Sequence, residues 1–429
     1  MTDSRQRFDT ASVHAGQAVD EATGARAPPI YQSTSFVFDS ADDAAARYAL
    51  ESDEHVYSRI SNPTTRSLEH RITDLHDAGG AVATATGLAA LDAATFVLAE
   101  PDSNIVTSSV IYGGTATYFR HAAEKRGIEP RFVDPLDTGA VAAAIDRKTA
   151  YLHVETIGNP ALVTPDFEAL ARIAHDNDTP LFVDNTFASP WLCRPLEHGA
   201  DLVWESTTKW IHGAGTTVGG VLVDGGSFDW SAGSYPELAE PNRAYPEKTF
   251  ATDFAAAPVA AAARFRSLRS LGAAQSPFDA WVTLQGLETL PLRMERHCEN
   301  AAIVAEYLAD HPEVGWVNYP GLGGHNTHEN ARQYLDGGYG GMISFGLADG
   351  FEPGKRLCEE TEVFSFLANV GDAKSLIIHP ASTTHGQLSA EEQRESGVSR
   401  DLIRLSIGIE DPADLLADLD RAIDRAVDG

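Results

Sequence analysis

From about residue 66 onward the chain alternates between two apolar patterns. Stretches with apolar residues at helical spacing, Thr65–Asp77, Gly87–Ala99 and Tyr118–Arg126, are separated by short apolar runs bounded by turn residues. Those runs are Ala81–Thr84, Asn104–Ser108, Glu129–Val133, Ala150–Glu155, Pro180–Asp184 and Leu202–Ser206. Short buried strands alternating with helices predict an α/β domain built on a mostly parallel sheet. In such sheets ligands bind beyond the carboxyl ends of the strands. The first sixty residues read differently: they are polar, carry Pro28-Pro29 and show few periodic segments. They predict an extended arm that needs another surface to lie on.

Residues 225–262 break the rhythm with prolines, acids and alanines, and predict an excursion or lid leading into a helix. Ser276–Asp310 then reads as one long helix or two stacked ones, with Leu284, Leu287, Leu290, Met294 and His297 forming a core stripe. From Trp316 to Gly429 strands and helices mix in an α+β manner and end in an acidic helix, Pro412–Val427. A length of 429 residues supports more than one core. The expected division is an arm (1–60), a large α/β domain (61–270) and a smaller α+β C-terminal domain (271–429).

Charge narrows the partners. With 62 acidic and 32 basic residues the formal net charge is −30. Such a field repels nucleic acid and anionic membrane surfaces, so neither is an expected partner. The acids are dispersed, and only six of the basic residues are lysines. That combination predicts a surface adapted to high salt, against the plainer reading of an ordinary acidic protein. Cys193, Cys298 and Cys358 have no CxxC spacing and read as free thiols in a reducing compartment. No charged-then-apolar leader opens the chain and no apolar run reaches about 18 residues, so a cytoplasmic location is expected.

Against this scarcity of lysine, Lys209 stands out in VWESTTKWIHGAG (203–215). It lies just past one short strand, twenty-five residues after Asp184, which lies just past another (LFVDNT, 181–186). Alone, Asp184 could be a turn former or the ion-pair partner of a buried cationic ring nitrogen. Neighbouring parallel strands would present both residues to one crevice. That pairing suits pyridoxal phosphate, which needs a lysine for its aldehyde and a carboxylate for its ring nitrogen. Ser206 and Thr208 offer hydroxyls for the phosphate, and TATGLAAL (84–91) offers a turn opening a helix. Gly87 there could equally be an ordinary strand-to-helix turn, and Tyr112, in YGGT, either a ring-stacking residue or a packed loop tyrosine.

Longer segments decide between these readings. YSRISNPT (57–64), VDNTFASP (183–190), STTKWIHGAG (206–215) and HPASTTHGQL (379–388) resemble the Cys/Met-metabolism group of fold-type I pyridoxal-phosphate enzymes, from about Thr10 to the end. SPFDAWVTLQGLETLPLRMERHCENA (276–301), LANVGDAKSLIIHPASTTH (367–385) and RLSIGIED (404–411) are most similar to its O-acetylhomoserine sulfhydrylases. The resemblance implies γ-replacement of O-acetyl-L-homoserine by sulfide or methanethiol. The alternatives are a cystathionine γ-synthase or a methionine or cystathionine γ-lyase of the same group.

Residue by residue, the resemblance implies that Lys209 carries the cofactor and shuttles protons. Asp184 would pair with the ring nitrogen, and Tyr112 would stack on the ring and assist catalysis. Gly87, Leu88, Ser206 and Thr208 would bind the phosphate, Asn159 would touch cofactor and substrate, and Ser375 and Arg404 would join it on the α-carboxylate. Tyr57 and Arg59 would reach the phosphate of a neighbouring subunit, in a tetramer of dimers with shared sites. The family's serine before the phosphate-loop glycine is Thr86 here, which keeps the hydroxyl. His212, His379 and His385 are not spaced as metal ligands and predict structural hydrogen bonds; no metal is expected. Arg264, Arg266 and Arg269 predict a solvated or subunit-contact face.

Overall fold

The apolar runs form the strands of a seven-stranded sheet: β1 (Gly80–Thr84), β2 (Asn104–Ser108), β3 (Glu129–Val133), β4 (Thr149–Glu155), β5 (Leu181–Asp184), β6 (Leu202–Glu205) and β7 (Gly220–Asp224). The computed structural model describes residues 6–231, 235–348, 350–384, 386, 393 and 397–428; His385 lies outside them. Spatial order is β1-β7-β6-β5-β4-β2-β3. The pairings from β3 to β6 are parallel, whereas β7 runs antiparallel to both neighbours. β7, GVLVD, belongs to the same apolar class as the other runs but was not among the expected strands.

Adjacent residues of one strand serve different cores, as a period of two requires. Val183, Val203 and Val221 pack on one face with Leu68, Ile72, Leu284 and Met294. Phe182, Leu202 and Leu222 pack on the other with Leu91, Val97 and Val259. Burial on both faces explains why these strands show no polar alternation.

In chain order the first helices are α1 (Phe8–His14), α2 (Ala41–Tyr48), α3 (Pro63–His76) and α4 (Gly87–Leu98). α3 starts where Asn62 accepts the amide of Thr64 and Pro63 occupies the first turn; it stops at Asp77, whose φ is 51°. The expected helix Tyr118–Arg126 is a wide π turn over Tyr118–Ala123 followed by a 3₁₀ turn. The polar opening segment holds two short helices as well as extended chain. The crossover from β5 to β6 contains only short helical turns, Ser189–Leu192 and Pro195–His198.

Residues 276–310 form two helices, Pro277–Leu287 and Leu290–Asp310, with Leu284, Leu287, Leu290, Met294 and His297 buried. A second sheet follows: β8 (Val314–Asn318), β9 (Met342–Leu347), β10 (Ser365–Phe366), β11 (Leu376–Ile378) and β12 (Leu402–Ser406), in the order β10-β11-β12-β9-β8. Ile343, Phe345, Ile403 and Leu405 close its core against Ala301–Leu308 and the final helix, Pro412–Asp428. None of the described helices is long and apolar enough to cross a membrane.

Candidate active site

The strand ends β4, β5 and β6 carry the site. β5 and β6 are parallel neighbours, with Asp184 beside Trp204, so Asp184 and the Ser206–Lys209 segment leave adjacent strands at one edge. Glu155 is in register with Asp184 on β4 and therefore shares its face. The carboxylate of Glu155 accepts the amides of Tyr112 (2.6 Å) and Asn159 (2.9 Å), tying together the loops that bear those side chains.

Lys209 is half-buried, and its Nζ donates to Oδ1 of Asn369 at 2.5 Å. Burial, reinforced by the charge of Arg404, lowers its ammonium to about 8. Arg404, on β12, donates to Oδ1 of Asn159 at 3.1 Å and is itself pushed down to about 10 by burial. The two sheets thus meet at this lysine. Gly371, at φ 74°, approaches it so closely that a Cβ would lie 2.9 Å from the Lys209 carbonyl carbon.

On the other side of Ser206 lies the opening turn of α4. Thr86 caps that helix by accepting the Ala89 amide at 3.0 Å. The amides of Gly87 and Leu88 fall in the first turn, where no intrahelical carbonyl is available. A Cβ on Gly87 would sit 2.8 Å from Cβ of Ser206, so only glycine lets the helix start come this near. The Thr208 hydroxyl is shared with the backbone of Gly219, donating at 3.2 Å and accepting at 3.1 Å. Tyr112 is 46 % exposed, and its ring passes so close over Gly114 that a Cβ there would be 2.4 Å away.

These residues fit a phosphorylated, cationic aromatic ring. Asp184 and Glu155 are both buried, and among the described residues neither has an ion pair. Burial raises Asp184 to about 7, against hydrogen bonds from Thr186, with the charge of Glu205 adding to the rise. Burial and the charge of Asp184 raise Glu155 well above the carboxylate range. What this pair lacks is a cation, which a protonated ring nitrogen provides. The dipole and free amides at the start of α4, with the Ser206 hydroxyl beside them, suit a phosphate.

Ser375 departs from its expected place, whereas His212 and His379 keep theirs. Ser375 is fully buried; its hydroxyl donates to Glu410 and accepts the Gly408 amide, while Asn369 is the residue that reaches Lys209. Tyr57 and Arg59 lie on the outside of the chain, the guanidinium 5.2 Å from the tyrosine ring and bonded to the carbonyl of Arg269. Arg264, Arg266 and Arg269 are not a solvated face: they bind Glu69, Glu237 and Tyr245 respectively. His212 bonds the Thr216 hydroxyl, and His379 bonds Ser382 and the Arg400 carbonyl. Glu155 and Asn369 were missed. An acid ending the apolar run YLHVE was the available signal for the first; the second lies inside LANVGDAKSLIIHPASTTH, but nothing local ties it to a lysine 160 residues away.

A mostly parallel sheet with lysine and aspartate at adjacent strand ends, and a capped helix start beside them, defines a fold-type I pyridoxal-phosphate enzyme. The chain belongs to the Cys/Met metabolism PLP-dependent enzyme family, whose model matches residues 9–424. It is 46% identical over 424 residues to the homocysteine synthase of Schizosaccharomyces pombe, covering 98% of this chain and 99% of that one. It is 44% identical to the O-acetyl-L-homoserine sulfhydrylase of Leptospira meyeri, covering 97% and 96%. A putative O-acetylhomoserine (thiol)-lyase from Campylobacter jejuni, solved with a pyridoxyl-lysine monophosphate residue, superposes with a TM-score of 0.93 at 36% identity, covering 98% of this chain and all of that one.

Proposed function

We propose that this enzyme converts O-acetyl-L-homoserine and sulfide into L-homocysteine and acetate. The reading is carried by one observation: a half-buried Lys209, at about 8 and within the field of Arg404, follows the strand that pairs with the one bearing Asp184. The names of full-length relatives supply the reaction class.

The bound cofactor supplies an electron sink that acidifies Cα of an amino acid attached to it. Asp184 would hold the ring nitrogen protonated and so keep that sink open. Lys209, once free, would take the Cα proton and next move a proton at Cβ, which allows acetate to leave Cγ and sulfide to replace it. An amine near 8 can both accept and return protons at neutral pH, as alternation between base and acid requires. Arg404 would grip the α-carboxylate with its fork of donors, oriented by Asn159. Asn369 replaces Ser375 in that group, because it already holds the lysine's nitrogen.

Gly87, Leu88 and Ser206 would hold the phosphate, with Thr208 adding its hydroxyl. Tyr112 would cover the ring. Tyr57 and Arg59 would serve a neighbouring subunit's site, which favours a homo-oligomer built from dimers; their exposure supports that assignment. The divisions 1–60, 61–270 and 271–429 would be arm, cofactor domain and C-terminal domain.

The test is purified enzyme with pyridoxal phosphate and O-acetyl-L-homoserine, offered sulfide or L-cysteine. Homocysteine from sulfide supports the reading. Cystathionine from cysteine with no homocysteine from sulfide would replace it by the synthase alternative.

A further inference from the structure

Beneath the site, on the opposite face of the strands, runs a second row of polar groups. Thr156, Asn185 and Glu205 follow or end β4, β5 and β6, and alternate in direction with Glu155, Asp184 and Ser206. The Thr156 hydroxyl donates to Oδ1 of Asn185 at 2.7 Å, and Nδ2 of Asn185 donates to Glu205 at 2.7 Å. The same Nδ2 also reaches the Cys193 carbonyl at 2.9 Å. The other oxygen of Glu205 meets Nε2 of His76, the last residue of α3, at 3.2 Å. All four side chains are 0 % exposed.

A carboxylate is an expensive group to enclose, and neither Glu205 nor His76 faces the proposed ligand. The arrangement around it is specific, however. Asn185 donates to one carboxylate oxygen and the Nε2–H tautomer of His76 donates to the other, and no neutral side chain of the same length offers two acceptors. The product is a bar across three strand ends, anchored in α3. Asn185 is its centre and directly follows Asp184, so the bar fixes the peptide that aims the aspartate. Above it, Asp184 accepts the Thr186 amide (2.9 Å) and the Thr186 hydroxyl accepts the Ser206 amide (2.9 Å). Any tilt of Asn185 therefore moves both the ring-nitrogen partner and the phosphate-side serine.

We propose that Glu205, backed by His76, is a positioning residue for Asp184 and acts through the side chain of Asn185. The proposal rests on the reading of Asp184 as the partner of the cofactor's ring nitrogen. It gives a buried acid, remote from substrate, a measurable part in cofactor binding and turnover. Outer partners of this kind weaken a site by roughly tenfold to a hundredfold when lost at metal centres, and a loss of about tenfold is expected here.

The experiment titrates pyridoxal phosphate into cofactor-stripped parent, Glu205→Leu, Glu205→Gln, Thr156→Val and Asp184→Asn proteins, then measures kcat and KM of the reloaded enzymes. Glu205→Leu should raise the cofactor Kd about tenfold and lower kcat, with KM for O-acetyl-L-homoserine within about twofold of the parent. Glu205→Gln should fall between the two, because it keeps one acceptor. Thr156→Val, which removes only the far bond, should show a smaller loss in the same direction. A bar that merely stabilised the fold would lower the thermal midpoint and leave Kd and kcat at parental values; that outcome overturns the proposal. Should Glu205→Leu fail to fold, Glu205→Gln and Thr156→Val decide by the same criterion. Impaired Asp184→Asn beside parental Glu205 and Thr156 variants overturns this inference alone. Parental behaviour of Asp184→Asn overturns the underlying reading of the site.

Discussion

Replacing Asp184 by asparagine removes a charge that the fold holds at a cost. Burial moves its carboxyl from 3.8 to about 7, which disfavours the charged form by about 4 kcal/mol at most. Because the folded-state value is raised, the cofactor-free protein binds more protons folded than unfolded between those limits. Its stability therefore falls as pH rises through that window and levels off above about 7. Between pH 5.5 and 8 the cofactor-free parent should lose about 2 kcal/mol relative to Asp184→Asn. Asp224, raised to about 6 by burial, slopes the same way in both proteins and cancels, whereas Glu155 loses the charge of Asp184 in the variant, so the difference reports the coupled pair. Adding pyridoxal phosphate should return that energy to the parent, since a ring cation now faces the aspartate. Losing the charge that faces the ring nitrogen should also lower kcat of the reloaded variant, by roughly a hundredfold to a thousandfold as for other preorganised electrostatic partners. Denaturant unfolding of the cofactor-free pair at both pH values, with kcat of the reloaded pair, is the assay. Equal pH slopes together with a parental kcat would refute the assignment.

Lys209→Ala should abolish the visible absorbance of the bound cofactor and turnover together, since no other described lysine lies just past the carboxyl end of a strand; absorbance after gel filtration with excess cofactor checks this. Arg404→Lys should raise KM for O-acetyl-L-homoserine by roughly tenfold to a hundredfold with a smaller change in kcat, because a point charge replaces a bidentate fork. A net charge of −30 predicts that the thermal midpoint rises between 0.1 M and molar salt, as screening relieves self-repulsion. A flat or falling midpoint would leave the acidic composition without that role.

Much of the large sheet was legible in the chain because most of its strands are fully buried and leave an apolar trace, the half-exposed EPRFV of β3 being the exception. β2 and β3 fall where the runs place them, and the others begin or end within a residue or so. β7 escaped because a uniform rhythm of strand and helix predicts parallel neighbours, and GVLVD returns antiparallel without a helix before it. The solvated alternative for the arginines of 264–269 fails for a related reason. Nothing local to them announces Glu69, Glu237 or Tyr245, which the fold delivers from elsewhere.

The sequence by itself determined the chemistry: one lysine among hydroxyls, an aspartate twenty-five residues before it, and a glycine opening a helix. Those are local choices, and arginine cannot replace the lysine because its guanidinium neither forms the cofactor bond nor releases a proton near neutrality. Tertiary structure alone decided which groups complete the site. Asn369 meets Lys209, Glu155 stands beside Asp184, and Glu205 braces it from below. Each of these depends on strand register and on where the second sheet meets the first. A one-residue shift in register would turn Glu155 and Glu205 to the opposite face.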